Sequence, residues 1–186
     1  MSYRGHAIIF AMVNANRRRA VGNLFRMIVL AGSLGGALPV GAADIVAADH
    51  VVVRKTQHKL YLYNGDRLIG DYRVALGLNP VGTKERERDF RTPEGRYYLA
   101  RRNTHSDYFL SIQVSYPNKN DELKARKNHW APGGSIMIHG SPNVPKHPAA
   151  YYDSNDWTDG CIALSNSDMV EVWLRTQDNI PIDIYP

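Results

Sequence analysis

After residue 49 the chain runs through apolar stretches rich in β-branched and aromatic residues, broken by polar turn residues. Residues 50–55 read HVVVRK, and residues 59–77 read KLYLYNGDRLIGDYRVALG. Within the second run Leu60 and Leu62 alternate with Tyr61 and Tyr63, the spacing of a half-buried strand. Asn64-Gly65 interrupts it as a hairpin turn, in which both central residues would take positive φ. RYYLARR (96–102), YFLSIQVSYP (108–117), SIMIHG (135–140) and IPIDIYP (180–186) read as further strands. The period lengthens only at NSDMVEVWLRTQ (166–177). There Met169, Val172 and Trp173 fall at helical spacing behind a cap at Asn166 or Ser167. Residues 77–95 and 118–134 are polar connections rich in turn residues, with a short helix expected over 121–126. The pattern predicts a mostly β domain of α+β type, with one main helix near its C-terminal end.

Composition adds compartment. Of the 23 basic residues, the five before Asp44 are Arg4, Arg17, Arg18, Arg19 and Arg26, and no acidic residue precedes it. From Asp44 onward 18 basic residues face 18 acidic ones. The net charge of +5 therefore belongs to the first segment, and no basic patch argues for nucleic acid. That segment has a positive stretch, an apolar run over 27–40 and small residues at 41–43, the layout of an export signal cleaved after Ala43. A membrane anchor is the competing reading. The apolar run is shorter than the ~20 residues that span a bilayer. Expected organisation is an export signal over 1–43 and one domain over 44–186, acting in the periplasm.

Export makes the single cysteine conspicuous. Cys161 has no partner in the chain for a disulfide, and a free thiol in an oxidising compartment is exposed to oxidation. It is either a small buried hydrophobe or a nucleophile. Its setting, DWTDGCIALSN (156–166), favours a nucleophile. Gly160 lets the backbone approach a substrate closely, and the backbone N–H groups around Asp159 to Cys161, those of Asp159 and Gly160 first, can stabilise an oxyanion. A thiol with a pKa of about 8.5 needs a base. Of seven histidines, His139 ends an apolar strand just before a glycine, where its ring would be held over a sheet rim.

These segments together resemble the L,D-transpeptidases of the YkuD type, which crosslink or edit peptidoglycan through a cysteine. The resemblance is carried by the opening hairpin, RTPEGRYYL (91–99), IMIHG (136–140) and TDGCIALSN (158–166). It implies a YkuD-like β-sandwich in which a cysteine-bearing loop leads into one helix. It implies Cys161 as nucleophile and His139 as general base, with the second ring nitrogen of His139 held by the Gly140 carbonyl. Thr158 and Gly160 fall on the family's Ser/Thr-x-Gly-Cys motif. The substrate implied is the peptidoglycan stem peptide, an outer-membrane lipoprotein is a further candidate partner, and no cofactor is called for. The domain is expected to act as a monomer.

Two positions depart from the family pattern: Asp159 replaces a histidine, and Ala163 stands where Arg or Asn is usual. The DWTDGCIA form resembles a proteobacterial branch that includes a hydrolase detaching lipoprotein from peptidoglycan. Asp159 caps its turn, binds a substrate ammonium group, or opposes the thiolate. Arg91 is a candidate for a substrate carboxylate. Trp157 and Tyr152 are candidate cleft walls, with the loop 141–156 as roof. The spacing of His139, His147 and Asp153 gives no metal cluster. A hydrolase using the same Cys/His pair, a binding module and a papain-like protease are rival readings. A binder needs neither Cys161 nor His139, and the papain-like order places Cys before His.

Overall fold

The computed structural model describes residues 45–186; the export signal expected over 1–43 lies outside the described residues. Eight strands follow one another: β1 (His50–Arg54), β2 (Lys59–Asn64), β3 (Arg67–Arg73), β4 (Gly95–Ser106), β5 (Phe109–Val114), β6 (Met137–His139), β7 (Ile162–Ala163) and β8 (Pro181–Tyr185). Three helices, α1 (Lys119–Lys127), α2 (Ala149–Ser154) and α3 (Asn166–Arg175), lie in the connections. The domain is mostly β, as these stretches predict.

Strand order is β3-β2-β1-β8-β4-β5-β6-β7. The long β4 joins the two halves. Its first residues pair with β8, and the stretch from Leu99 onward pairs with β5 across two register shifts. Bulges of this kind bend a strand and let one sheet turn back on itself. The chain just after β3 then closes the far edge. Ala75 and Ala163 exchange both backbone hydrogen bonds at 2.9 and 2.8 Å, while Thr158 N–H donates to Leu76 O and Leu78 N–H to Thr158 O. The sandwich is thus one sheet, folded over and sealed along the seam where β7 would otherwise be an open edge.

Both halves contribute to a single core. Val51, Val53, Leu60 and Leu62 from one half meet Leu99, Ile112, Ile138 and Ile162 from the other, with Met169 and Val172 of α3 over them. The half-buried alternation read from the sequence is real: Leu60 and Leu62 are fully buried and the tyrosines between them are not. Three local expectations change. The first hairpin turns on Gly65-Asp66, because Asn64 pairs with Arg67. Only Gly65 takes positive φ, +56°, as a type II′ turn requires. Helix α3 is capped by Ser165, whose hydroxyl accepts the Asp168 N–H, and Asn166 is free for another task. Helix α1 is longer than expected and starts with a reciprocal capping box between Asn118 and Asp121, which adds a defined N-terminus to a weakly amphipathic segment.

Candidate active site

The register of three short strands assembles the site. Ile138 pairs with Ile162 and His139 with Ala163 in the parallel β6–β7 ladder, so Met137 lies opposite Cys161. Side chains alternate faces along a strand. Ile138 and Ile162 therefore enter the core, while Met137, His139 and Cys161 share the other face. From a rise of ~3.3 Å per residue and ~4.8 Å between strands, His139 and Cys161 have their Cα atoms about 8 Å apart on that face. Both side chains line one cavity of about 650 Å³.

His139 is 4% exposed. Its Nδ1 lies 2.7 Å from the Gly140 carbonyl oxygen, which can only accept, so Nδ1 carries the proton and Nε2 presents a lone pair. Burial pushes the imidazole down to about 4, against the opposing pull of the Gly140 carbonyl. The ring is neutral at physiological pH and is boxed by Tyr108 (centroids 4.6 Å apart) and by Trp157 edge-on (5.5 Å). Gly140 is pinned in turn. Its N–H is shared by the carbonyls of Tyr108 and Leu110, and Asn166 Oδ1 accepts the next N–H, that of Ser141, at 2.8 Å. A Cβ on Gly140 would come within 2.5 Å of the same Asn166 oxygen.

Cys161 is partly exposed. Its Sγ accepts the Met137 N–H at 3.4 Å and donates to the Ser135 carbonyl at 3.6 Å. Burial raises the thiol above its ordinary value; the Met137 N–H counteracts this, Asp159 adds to it, and Lys84 opposes it. The resting site is thus an uncharged thiol beside an uncharged imidazole. Such a pair can form a thiolate by passing the thiol proton to Nε2.

The turn before the thiol is built from crossings of backbone. Gly160 has φ +126°, and a Cβ there would lie 2.5 Å from the Arg91 carbonyl oxygen. Thr158, buried, donates its hydroxyl to the Cys161 carbonyl at 2.8 Å and accepts the Gly160 N–H at 3.1 Å. This corrects one expectation: the Gly160 amide is engaged inside the turn, so the amides with no partner among the described residues are those of Asp159 and Cys161. Asp159 is exposed and lines the cavity.

Arg91 also departs from expectation. Its guanidinium does not line the cavity of Cys161 but a neighbouring one, with Nη1 3.9 Å from Glu85. RTPEG meets the site through backbone instead. The Arg91 carbonyl abuts Gly160, and the Thr92 hydroxyl accepts the Gly77 N–H at 3.2 Å. Trp157 is a wall of the cavity, and its indole N–H is buried without a partner among the described residues. Tyr152 stands one layer back. Its ring packs edge-on against Trp157 at 5.1 Å, and its hydroxyl accepts the N–H groups of Lys146 and His147, which ties the loop 141–156 to the site.

Sequence reasoning missed Ser111 and Lys84. Ser111 faces His139 across the β5–β6 ladder, is buried and lines the cavity. Its signal was there, since Ser111 and Gln113 put a polar face on a strand whose other face is Ile112 and Val114. Lys84 had no such signal, because it lies in a loop with no periodicity to read.

A family model described as the L,D-transpeptidase catalytic domain, YkuD, matches residues 48–184. YafK of Escherichia coli strain K12, which bears the L,D-transpeptidase name, is 26% identical over 138 residues, covering 68% of this chain and 48% of that protein. The chain spans about half the length of the curated relatives it matches. The crystal structure of the helical cell shape determining protein Pgp2 from Campylobacter jejuni is similar with a TM-score of 0.56 at 25% identity, over 73% of this chain and 46% of that one. Bd1075 from Bdellovibrio bacteriovorus shares the fold with a TM-score of 0.50 at 23% identity, over 76% and 51% of the two chains. With a match that runs from Ala48 before β1 to Ile184 in β8, and a fold shared with these structures, the chain belongs to the L,D-transpeptidase catalytic domain family.

Proposed function

We propose that this domain is a cysteine-dependent L,D-transpeptidase that acts on tetrapeptide stems of peptidoglycan through a thioester. The observation that carries the reading is the β6–β7 register, which puts Cys161 and a neutral, Nδ1-protonated His139 on one face of one cavity. Nε2 takes the thiol proton as Sγ attacks the carbonyl of the L,D peptide bond. The amides of Asp159 and Cys161 face the developing oxyanion, the role in which preorganised N–H donors contribute most. Collapse of the intermediate breaks the C–N bond, and the proton on Nε2 goes to the departing D-alanine amine. The acyl group stays on sulfur as a thioester. An acceptor amine, from a second stem or from a lysine of an outer-membrane lipoprotein, then attacks the thioester and restores the thiol. The place of action is the periplasm, with residues 1–43 as export signal.

The test is incubation of the chain with purified muropeptides, followed by mass spectrometry of the products. Loss of D-alanine together with new stem–stem linkage is the expected outcome, abolished by Cys161→Ala. Products released only by water would show a hydrolase. Full turnover by Cys161→Ala would remove the nucleophile assignment.

A further inference from the structure

The loop between β3 and β4 buries a lysine in the wall of the thiol's cavity. Lys84 is 4% exposed and lines the cavity together with Cys161. Its ammonium donates to Asp89 Oδ1 at 2.7 Å and to the Arg86 carbonyl at 3.1 Å. An ammonium group has three N–H donors, and the third has no protein acceptor among the described residues. Asp89, for its part, is supplied well beyond the lysine. It accepts the N–H groups of Glu85, Arg86 and Arg91 at 2.7, 3.0 and 3.1 Å. Three backbone donors suffice to hold that carboxylate and shape the loop. A buried cation added to them is costly to desolvate, and folding alone does not account for it.

Location indicates what the cation is for. Asp89, which holds the ammonium, also accepts the Arg91 N–H, and the Arg91 carbonyl abuts Gly160 next to Cys161, whereas His139 is boxed by Tyr108 and Trp157. Lys84 is therefore on the thiol's side of the pair. The leaving amine must be within reach of His139, because that ring returns the proton, so the side away from it receives the acyl part of the substrate. In a stem peptide that part is rich in carboxylates: a γ-linked glutamyl residue keeps a free α-carboxylate, and diaminopimelate keeps one on its side chain.

We propose that Lys84 is a substrate-binding residue of the acyl half of the site, and that its third N–H binds a free carboxylate of the peptide transferred to Cys161. Asp89 fixes the ammonium in place, and Asp159 gives the same cavity an anion for the ammonium group of diaminopimelate. The proposal rests on the stem-peptide reading above and adds the group that selects the donor.

The experiment measures binding rather than turnover. The full chain carrying Cys161→Ser is titrated by calorimetry with a synthetic tetrapeptide, with its glutamyl α-carboxamide, and with its diaminopimelate side-chain carboxamide. One of the two amides should bind about tenfold more weakly or worse, as expected for losing a charge-assisted hydrogen bond. The amide that suffers identifies the carboxylate. Lys84→Met in the same background should weaken the unmodified peptide by a similar factor and erase the difference between acid and amide. If both amides bind Lys84-bearing protein as well as the acid does, the proposal is overturned, whether or not Lys84→Met folds. It is equally overturned if the penalty for amidation persists in folded Lys84→Met. Carboxylate-dependent binding without turnover by the Cys161 chain would contradict the proposed reaction but not this inference. Turnover indifferent to amidation would contradict the inference alone.

Discussion

Asp183 and His139 lie almost equally deep, at 5% and 4% exposure, and their partners leave one charged and the other neutral. Asp183 is in β8, at the centre of the sheet. It accepts two hydrogen bonds from Arg96, at 2.7 and 2.6 Å, and one from His50 at 2.9 Å. Those partners, Arg96 above all, outweigh desolvation and hold the carboxyl below its usual range, charged. His139 is in β6, one strand from the seam, with a single carbonyl partner, and there desolvation prevails and the ring stays neutral. The frame of the domain neutralises a buried charge by surrounding it. At the site the thiol of Cys161 and the imidazole of His139 are uncharged, which leaves a proton free to move between them.

The largest effect should come from exchanging the two roles. His139→Ala is expected to lower turnover by about 10² to 10⁴, the range for losing a general base, and to slow alkylation of Cys161 near neutral pH. Thermal unfolding should change little by comparison. Asp183→Asn should do the reverse, lowering the melting temperature while leaving alkylation of Cys161 near the wild-type rate. Equal effects of both variants on alkylation would dissolve the distinction between frame and site.

Gly160→Ala tests how tightly the two regions are joined. Its φ of +126° and the 2.5 Å approach to the Arg91 carbonyl leave no room for a methyl group. The backbone conformation alone should cost about 1–3 kcal/mol, and the displaced turn should carry Cys161 away from Met137 N–H. Circular dichroism melting and the alkylation rate should both fall. An alanine variant with wild-type stability would show that the crossing is looser than described.

The pH dependence of stability separates the regions by window. His139 has its folded value lowered from 6.5 to about 4. Its contribution is complete above about 6.5 and is lost as pH falls through 6.5 to 4, because only the unfolded chain binds that proton there. Asp183 is lowered from 3.8, so its contribution disappears only below that value. Denaturant titrations across pH should show a first decline that His139→Gln flattens and a second, more acidic one that Asp183→Asn flattens. A single decline insensitive to His139→Gln would contradict the neutral, buried imidazole.

How far the site could be read from sequence follows the same division. Strands of the frame were legible because each runs for five or more residues rich in β-branched and aromatic side chains and the signal accumulates; Leu60 and Leu62, alternating with tyrosines, needed no structure to place them. Cys161 and His139 were legible through chemistry and through motif, since an unpaired thiol in an exported chain demands an account and a histidine before glycine offers one. The seam was not. Strand β7 has two residues, too few for any period, and its pairing to Ala75 joins segments 88 positions apart along the chain. Arg91 was misjudged for a related reason. Composition identifies a guanidinium that could grip a carboxylate, but which way the chain turns it depends on Gly160 fitting against its carbonyl. The role of Asn166 was hidden because Ser165 takes the cap that the helix needed.

The smallest effect expected is at Asp159. Its carboxylate raises the thiol, after burial, and it is exposed, where interactions between charges are screened. Asp159→Asn should speed general thiol alkylation by no more than about fivefold, as an exposed pair allows, and should weaken reaction with amine-bearing stems more if the carboxylate meets an ammonium group. No change in either rate would leave Asp159 as a turn residue.

The central claim, that Cys161 carries the acyl group, is tested most directly by intact-protein mass spectrometry of the chain after brief exposure to a tetrapeptide stem. The expected result is an added mass equal to the peptide less its terminal D-alanine, mapped to Cys161 and released by hydroxylamine. D-alanine released in step with turnover, with no adduct on Cys161 even when quenched at the earliest times in acid, would contradict it.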